Sequence, residues 1–157
     1  MRRALLVVFF LALAACKGRA FEAKAAPGFV ELEKEAAAPY DFRAVAPEGV
    51  AFAVRGVALD DAQKDSDLGF WERAVMLRMR ELEGYALVGS SAAKTADGAP
   101  GKELVFGHDQ DGKPFLYRVR LFVSGSHLLV VEAGGARGEM ERLAPSVDWM
   151  MGNVRFR

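Results

Sequence analysis

The sequence has little of the chemistry that commonly marks an enzyme or a metalloprotein. Its 157 residues include one cysteine and two histidines. A single cysteine excludes an internal disulfide and any metal site built from several cysteines. Basic and acidic residues balance at 21 each, so the formal charge is zero. The strongly basic surface of a nucleic-acid-binding protein is therefore not expected, and we predict no nucleic-acid partner.

Known catalytic motifs are also missing from the sequence. It contains neither the Gly-x-Ser-x-Gly pattern of hydrolases nor a glycine-rich phosphate-binding loop. The two histidines, His108 and His127, have no obvious serine or cysteine nucleophile to activate. We therefore predict a protein that is not an enzyme, with no catalytic residue, cofactor or metal.

The first sixteen residues form a distinct segment. Arg2 and Arg3 precede the apolar run from Ala4 to Ala12, and Leu13-Ala14-Ala15-Cys16 follows. The apolar run is shorter than the roughly 20 residues needed to cross a bilayer. A basic start, a short apolar run and small residues at the end are typical of a secretory signal peptide, which we assign to residues 1–15.

The four residues that end this segment resemble the lipobox of bacterial lipoproteins. By that resemblance Cys16 becomes the first mature residue and carries a diacylglyceryl group and an N-acyl chain such as palmitate. Two or three chains, at ~0.8 kcal/mol per buried CH₂, hold a protein stably on a membrane. An ordinary cleaved signal or a buried helix is the alternative. Lys17, where an aspartate would favour the inner membrane, favours the periplasmic face of the outer membrane if the cell is Gram-negative.

Residues 16–38 are rich in alanine, lysine and glutamate. We interpret them as a flexible tether after the lipidated Cys16, with a single folded domain at residues 39–157. A partner-binding peptide is the alternative for this stretch. Within it, Phe29 to Leu32 is a candidate short strand.

The centre of the predicted domain lies between Lys102 and Ala133. Three strands are predicted there by alternation of side chains, at 102–108, 114–123 and 126–133. Asp111-Gly112 and Gly125-Ser126 supply the turn residues that tight hairpins need. The stretch is therefore predicted to be an antiparallel meander, which Gly134-Gly135 would end.

Two helices and four more strands are predicted around the meander. Apolar residues spaced by three or four indicate a helix at 68–83, on which Trp71, Val75, Met79 and Leu82 form one stripe. A second helix, at 137–151, is expected to kink or split at Pro145. The further strands are predicted at 40–45, 50–58, 85–92 and 153–156. The fold class is thus α+β, a twisted antiparallel sheet with helices on its faces (an α/β/α sandwich). We expect one of the helices to bury the side chains of Phe115, Tyr117, Val119 and Leu121.

Three groups of polar residues leave alternatives open. The run from Asp60 to Asp67 suits a cation site or a solvated loop that caps the following helix. His108 with Asp109 and Asp111 suits a metal site or simple turn chemistry. Three arginines, Arg55, Arg118 and Arg120, are candidates for a ligand-binding or anion-binding patch, with ordinary strand surface as the alternative.

The order of elements from Tyr40 to Phe156 resembles the PsbP-like superfamily, which includes DcrB-like envelope lipoproteins. The resemblance is carried by Phe70-Trp71, Gly84-Tyr85-Ala86-Leu87, the strand Gly101–Phe106, the run Phe115–Leu121, Gly125, the run His127–Val131 and the closing helix up to Trp149. It implies a twisted antiparallel sheet with helices on both faces and a supporting role in larger assemblies. It transfers no functional residue to this chain.

Together these features predict a membrane-anchored envelope lipoprotein. Its domain would act as a non-catalytic interaction or accessory module with an envelope protein partner. The alternative is a small-ligand or lipid carrier whose pocket lies between the sheet and a helix.

Overall fold

The computed structural model describes residues 19–63 and 66–157. The predicted signal peptide, the predicted lipidation site Cys16, and Lys64 and Asp65 of the acidic run lie outside these residues. The strands are β1 Phe21–Glu22, β2 Val30–Glu31, β3 Phe42–Val45, β4 Ala51–Ala58, β5 Ala86–Lys94, β6 Pro100–Gln110, β7 Lys113–Ser124, β8 His127–Ala136 and β9 Arg155–Phe156. The helices are α1 Lys34–Ala37, α2 Leu68–Glu81, α3 Arg137–Arg142 and α4 Ala144–Gly152.

An antiparallel sheet in the order β2-β3-β4-β8-β7-β6-β5 forms the middle of the molecule. The predicted meander is confirmed as β6, β7 and β8. Pairing of Gln110 with Lys113 leaves Asp111 and Gly112 as the turn, at φ +52° and +74°. Because few residues other than glycine, asparagine and aspartate adopt such angles, this turn sequence fixes the hairpin register.

Helices pack on both faces of this sheet, which confirms the predicted α+β class. Alternate residues of β7 point to opposite sides, as the sequence pattern predicts. Val119 and Leu121 are buried in the cluster that includes Met79 of α2, whereas Phe122 is buried in the cluster formed with α3 and α4. Tyr117, in contrast to Val119 and Leu121, is only partly buried.

Helix α2 begins with the cap that the sequence indicates. The side chain of Asp67 accepts a hydrogen bond from the Phe70 backbone N–H at 2.7 Å, which satisfies one free donor of the first turn. The helix ends at Glu81, and Gly84 follows at φ +68°. Leu82 therefore leaves the predicted apolar stripe and is 77% exposed.

Gly134 and Gly135 do not end a strand, contrary to the prediction, because β8 continues to Ala136. Both glycines permit close packing instead. A Cβ on Gly134 would lie 2.6 Å from the Tyr117 ring, and one on Gly135 would lie 3.1 Å from a Val50 methyl group. Glycine inside a strand often marks such a close approach.

The predicted split of the C-terminal helix at Pro145 is confirmed. The helices α3 and α4 meet at Leu143, and Pro145 lies in the first turn of α4. A proline is tolerated there because its missing N–H would have no partner within the helix.

Residues 19–38 belong to the folded domain and are not a flexible tether. Phe21 is fully buried and pairs with Phe156 of β9, while Phe29 is 8% exposed. Val30 then pairs with Val45, close to the candidate strand predicted at 29–32. The composition of this segment suggested a solvated chain, but the buried aromatic residues hold it on the domain.

Candidate ligand-binding cavity

One helix cannot cover the face of the sheet on which α2 lies. Strands are spaced about 4.8 Å apart and a helix with its side chains is about 10–12 Å wide. Helix α2 packs on β5, β6 and β7. Toward β8 and β4 a cavity of about 580 Å³ remains between α2 and the sheet.

Apolar side chains form one part of the walls of this cavity, and polar side chains form the other. The sheet contributes Val57, Leu128, Val130 and Val119, and α2 contributes Trp71, Val75 and Met79. Register places these residues together, because Val57 pairs with Leu128, and Val130 lies opposite Arg55. A concave site of this size that combines apolar walls with several polar groups is typical of small-molecule binding.

Two buried hydrogen-bond donors in the lining have no partner. They are the Nε of Arg55, on β4, and the Nε1 of Trp71, on α2. Within the part of the chain that the structure describes, neither nitrogen has a hydrogen-bond acceptor. A buried donor without a partner typically destabilises a protein by about 1–3 kcal/mol. Both donors in this cavity can therefore hydrogen bond with a bound ligand or with water.

A cluster of Tyr40, Tyr117 and Glu132 also lines the cavity. Burial raises the pKa of Tyr117 well above its usual range, and the negative charge of Glu132 raises it further. The pKa of Tyr40 is raised by the same two causes in the same order. Both hydroxyls interact with Glu132 and stay protonated near neutral pH. With Tyr85, this cluster also borders a smaller pocket of about 270 Å³.

The three arginines predicted as a possible patch are not brought together. Arg55 faces the cavity, whereas Arg118 and Arg120 lie on the opposite face of the sheet. Arg118 contacts Asp148 at 2.6 Å and Glu103 at 2.9 Å, and Arg120 pairs with the other oxygen of Glu103. Two guanidinium groups thus meet two carboxylates, so no excess positive charge remains to attract an anion.

Arg118, on the face of the sheet opposite the cavity, is stabilised in its charged form. Burial by itself would lower the pKa of Arg118, but its contacts with Asp148 and Glu103 raise that pKa overall. The side chains of Arg118 and Glu103 are only 16% and 10% exposed. This group is a structural ion-pair network and not an open binding site.

The remaining sequence candidates have local partners. His108 places its Nδ1 3.0 Å from the Gly84 carbonyl oxygen, and Asp111 forms the hairpin turn. In the acidic run, Asp60 accepts a hydrogen bond from the Gln63 N–H at 3.0 Å, and Asp67 caps α2. Among residues 19–63 and 66–157, no three histidine, cysteine, aspartate or glutamate side chains lie close enough together to hold a metal ion. In the same ranges no helix has the length and apolar character that spanning a bilayer requires.

The sequence made Arg55 a candidate for a ligand-binding patch, but it did not single out Trp71, whose N–H also lines the cavity. Trp71 shares the helical stripe of Val75 and Met79, and that spacing is equally typical of core packing. The only distinguishing signal is its N–H group, which a fully apolar neighbour would lack.

Comparison with solved structures identifies the kind of fold. The chain superposes on LpqN of Mycobacterium tuberculosis with a TM-score of 0.69 and 17% identity, covering 85% of this chain and 81% of LpqN. It also matches the cyanobacterial PsbP protein CyanoP of Synechocystis sp. PCC 6803 at a TM-score of 0.57 and 12% identity, over 94% and 99% of the two chains. A Pseudomonas aeruginosa protein, PA94, matches at a TM-score of 0.55 and 12% identity, over 92% and 88%.

These matches define a PsbP-like fold for the chain, as the resemblance of the sequence suggested. LpqN is described as involved in cell envelope biogenesis. No protein-family model matches the sequence, and a search of curated proteins finds no significant match.

Proposed function

We propose that this protein is a lipoprotein of the bacterial cell envelope that binds a small apolar ligand in the cavity beneath α2. Its role is that of a non-catalytic accessory protein. The cavity of about 580 Å³, with its apolar walls and two unpartnered donors, is the observation that carries the ligand-binding function. Of the two functions predicted from the sequence, the carrier is therefore favoured over a pure interaction module.

Two observations support the envelope location. The sequence before Cys16 resembles a lipoprotein signal with its lipobox. The fold is shared with LpqN, a protein involved in cell envelope biogenesis. By this proposal Cys16 anchors the mature chain, on the outer membrane if the cell is Gram-negative.

The arrangement of polar groups in the cavity supports binding without catalysis. Arg55 and Trp71 offer donors, while Glu132 interacts with Tyr40 and Tyr117. Such groups orient a ligand. A nucleophile activated by a neighbouring base, the arrangement that covalent catalysis needs, is not found in the cavity lining.

The binding function is tested with a neutral apolar dye whose fluorescence rises in an apolar environment. We expect the protein to bind the dye and Val57→Phe, which fills the cavity, to bind it at least tenfold more weakly. The matched control is Val30→Phe, on a side chain that is 62% exposed and outside the cavity. Absence of dye binding to the unaltered protein, or equal loss in both variants, would contradict the proposal.

The anchor is tested separately in cells that make the full-length protein. A labelled fatty acid should enter the protein, and Cys16→Ala should abolish the label and release the chain from the membrane fraction. An unlabelled protein, or a Cys16→Ala variant that stays on the membrane, would refute the anchor without affecting the cavity.

A second candidate function is binding of an envelope protein partner. Strand β5 is an outer strand of the sheet, and Leu87 and Val88 on it are 47% and 60% exposed. Exposed sheet edges can accept an added strand. A photo-crosslinking residue at Val88 should then give a discrete adduct in cells, whereas one at Leu77, which is 58% exposed on helix α2 and not on a sheet edge, should not. Identical results at both positions would argue against this surface.

A further inference from the structure

The unpartnered donors restrict the chemistry of the ligand that the cavity accepts. A guanidinium group and an indole N–H donate hydrogen bonds and have no acceptor. The group that satisfies the Arg55 Nε and the Trp71 Nε1 must therefore supply lone pairs. A carboxylate or a phosphate has enough oxygen lone pairs to accept from two donors.

The charge of Arg55 makes an anionic group the best acceptor. No residue in the described ranges forms a salt bridge with Arg55, although its Nε is buried. Arg55 is partly buried, and a cation that is partly shielded from water is stabilised when an anion pairs and hydrogen bonds with it. The other arginines near the middle of the sheet, Arg118 and Arg120, already have carboxylate partners.

Glu132 lies near Arg55 but does not take this role. Arg55 is opposite Val130, and Glu132 is two residues further along β8 on the same face. The carboxylate of Glu132 interacts with the hydroxyls of Tyr40 and Tyr117 instead. The other two charged residues of the lining, Arg78 and Glu83, pair with each other at 3.7 Å. An anionic head would therefore be directed toward Arg55 and away from Glu132.

The rest of the lining favours a hydrocarbon chain. Val57, Val75, Val119, Leu128 and Val130 surround the cavity with aliphatic carbon. Each CH₂ group transferred from water into such surroundings contributes favourably to binding. A cavity of about 580 Å³ falls within the ~300–1,000 Å³ typical of small-ligand sites.

We propose that the cavity binds a single-chain anionic amphiphile, whose carboxylate or phosphate accepts hydrogen bonds from Arg55 Nε and Trp71 Nε1 while its chain lies along the apolar walls. This inference rests on the proposed ligand-binding function and adds the class of ligand and its orientation. A fatty acid and a lipid phosphate are two sources of the same headgroup chemistry.

The protein offers a direct reporter for this site. It has two tryptophans, and Trp149 lies on α4, on the other side of the sheet from Trp71. In full-length protein carrying Trp149→Phe, fluorescence reports on Trp71 alone. We would titrate it with hexadecanoate and hexadecyl phosphate below their critical micelle concentrations, and with hexadecanol below its solubility limit.

The anionic compounds should change Trp71 emission and bind about tenfold or more tightly than hexadecanol. Adding Arg55→Gln should weaken binding of the two anions by about ten- to a hundredfold, because hydrogen bonds to charged groups are among the stronger ones. The affinity for hexadecanol should stay nearly unchanged. The control is Arg80→Gln, on an exposed arginine paired with Glu81 outside the cavity, which should have no effect. Tighter binding of hexadecanoate would identify the headgroup as that of a fatty acid. Tighter binding of hexadecyl phosphate would identify it as a lipid phosphate.

A second variant tests the indole donor. Trp71→Phe keeps an aromatic wall but removes the N–H, and displacement of the neutral dye should show anion affinity reduced by about two- to tenfold. Should Arg55→Gln unfold the protein, Trp71→Phe still decides the headgroup position. Equal affinities for acid and alcohol, unchanged in both variants, would overturn the headgroup assignment and leave the cavity function intact. Failure of every compound and of the dye to bind would overturn both.

Discussion

The two faces of the sheet are covered in different ways. On one face, α3, α4 and residues 21–29 pack over Phe52, Phe122 and Leu129, all of which are fully buried. On the other face, α2 packs over Leu104 and Leu121 but leaves the cavity toward β4 and β8. The first face is closed by several segments, and the second by one helix.

The two faces also differ in how their charged residues are paired. The closed face also neutralises its charges internally, through Glu103, Arg118, Arg120 and Asp148. The open face keeps Arg55 without a salt-bridge partner among the described residues. We therefore expect substitutions on the closed face to affect folding and those on the open face to affect ligand binding.

The largest difference should come from truncating a core aromatic residue. Phe122→Ala on the closed face should lower the free energy of unfolding by about 3–5 kcal/mol, because the lost ring leaves a cavity. Val57→Ala on the open face should lower it by about 1 kcal/mol, because Val57 already borders empty space. Urea denaturation measures both values. Similar losses in the two variants would break the distinction between the faces.

The next effect concerns the ion pairs of the closed face. Glu103→Gln removes the partner shared by Arg118 and Arg120 and should lower the free energy of unfolding by up to about 3 kcal/mol. Asp148→Asn serves as the control, since Asp148 is 57% exposed and should contribute less than about 1 kcal/mol. A negligible loss for Glu103→Gln in urea denaturation would mean that water reaches both guanidinium groups.

A pH effect is expected from the open face. The folded-state pKa of Tyr117 is raised by burial and then by Glu132, above the value of about 10 in an unfolded chain. Its contribution to stability is therefore complete below about pH 10 and is lost as the pH rises further, because the unfolded state releases the proton more readily. The melting temperature should fall above about pH 10, and less steeply in Tyr117→Phe. Identical alkaline profiles for the two proteins would contradict the raised pKa.

The smallest effect should follow Trp149→Phe on the outer surface of the closed face. Trp149 is 44% exposed, so we expect the free energy of unfolding to change by less than about 0.5 kcal/mol. Dye binding should be unchanged, because Trp149 does not line the cavity. An altered dye affinity would show that the two faces are coupled.

Much of the fold could be predicted from local patterns. The Asp111-Gly112 turn and the alternation along β7 predict the meander, and the Asp67 cap marks the start of α2. Each of these signals lies within a few residues of the structure that it specifies.

The structural features that could not be predicted from the sequence depend on contacts between residues far apart along the chain. Burial of Phe21 depends on Phe156, and the close approach at Gly134 depends on Tyr117. In the same way, only the strand register places Arg55 on the face opposite Arg118. The cavity is likewise a result of how many strands α2 can cover, and no single stretch of sequence shows that.

The pairing of β1 with β9 sets the radius within which an anchored domain could move. Phe21 pairs with Phe156, and it follows Cys16 by five residue steps, with four residues between them. Five fully extended residues span at most about 18 Å, which is less than the ~30 Å thickness of the hydrocarbon core of a bilayer. If Cys16 carries the proposed lipid anchor, the β1–β9 pair would lie within that distance of the membrane surface.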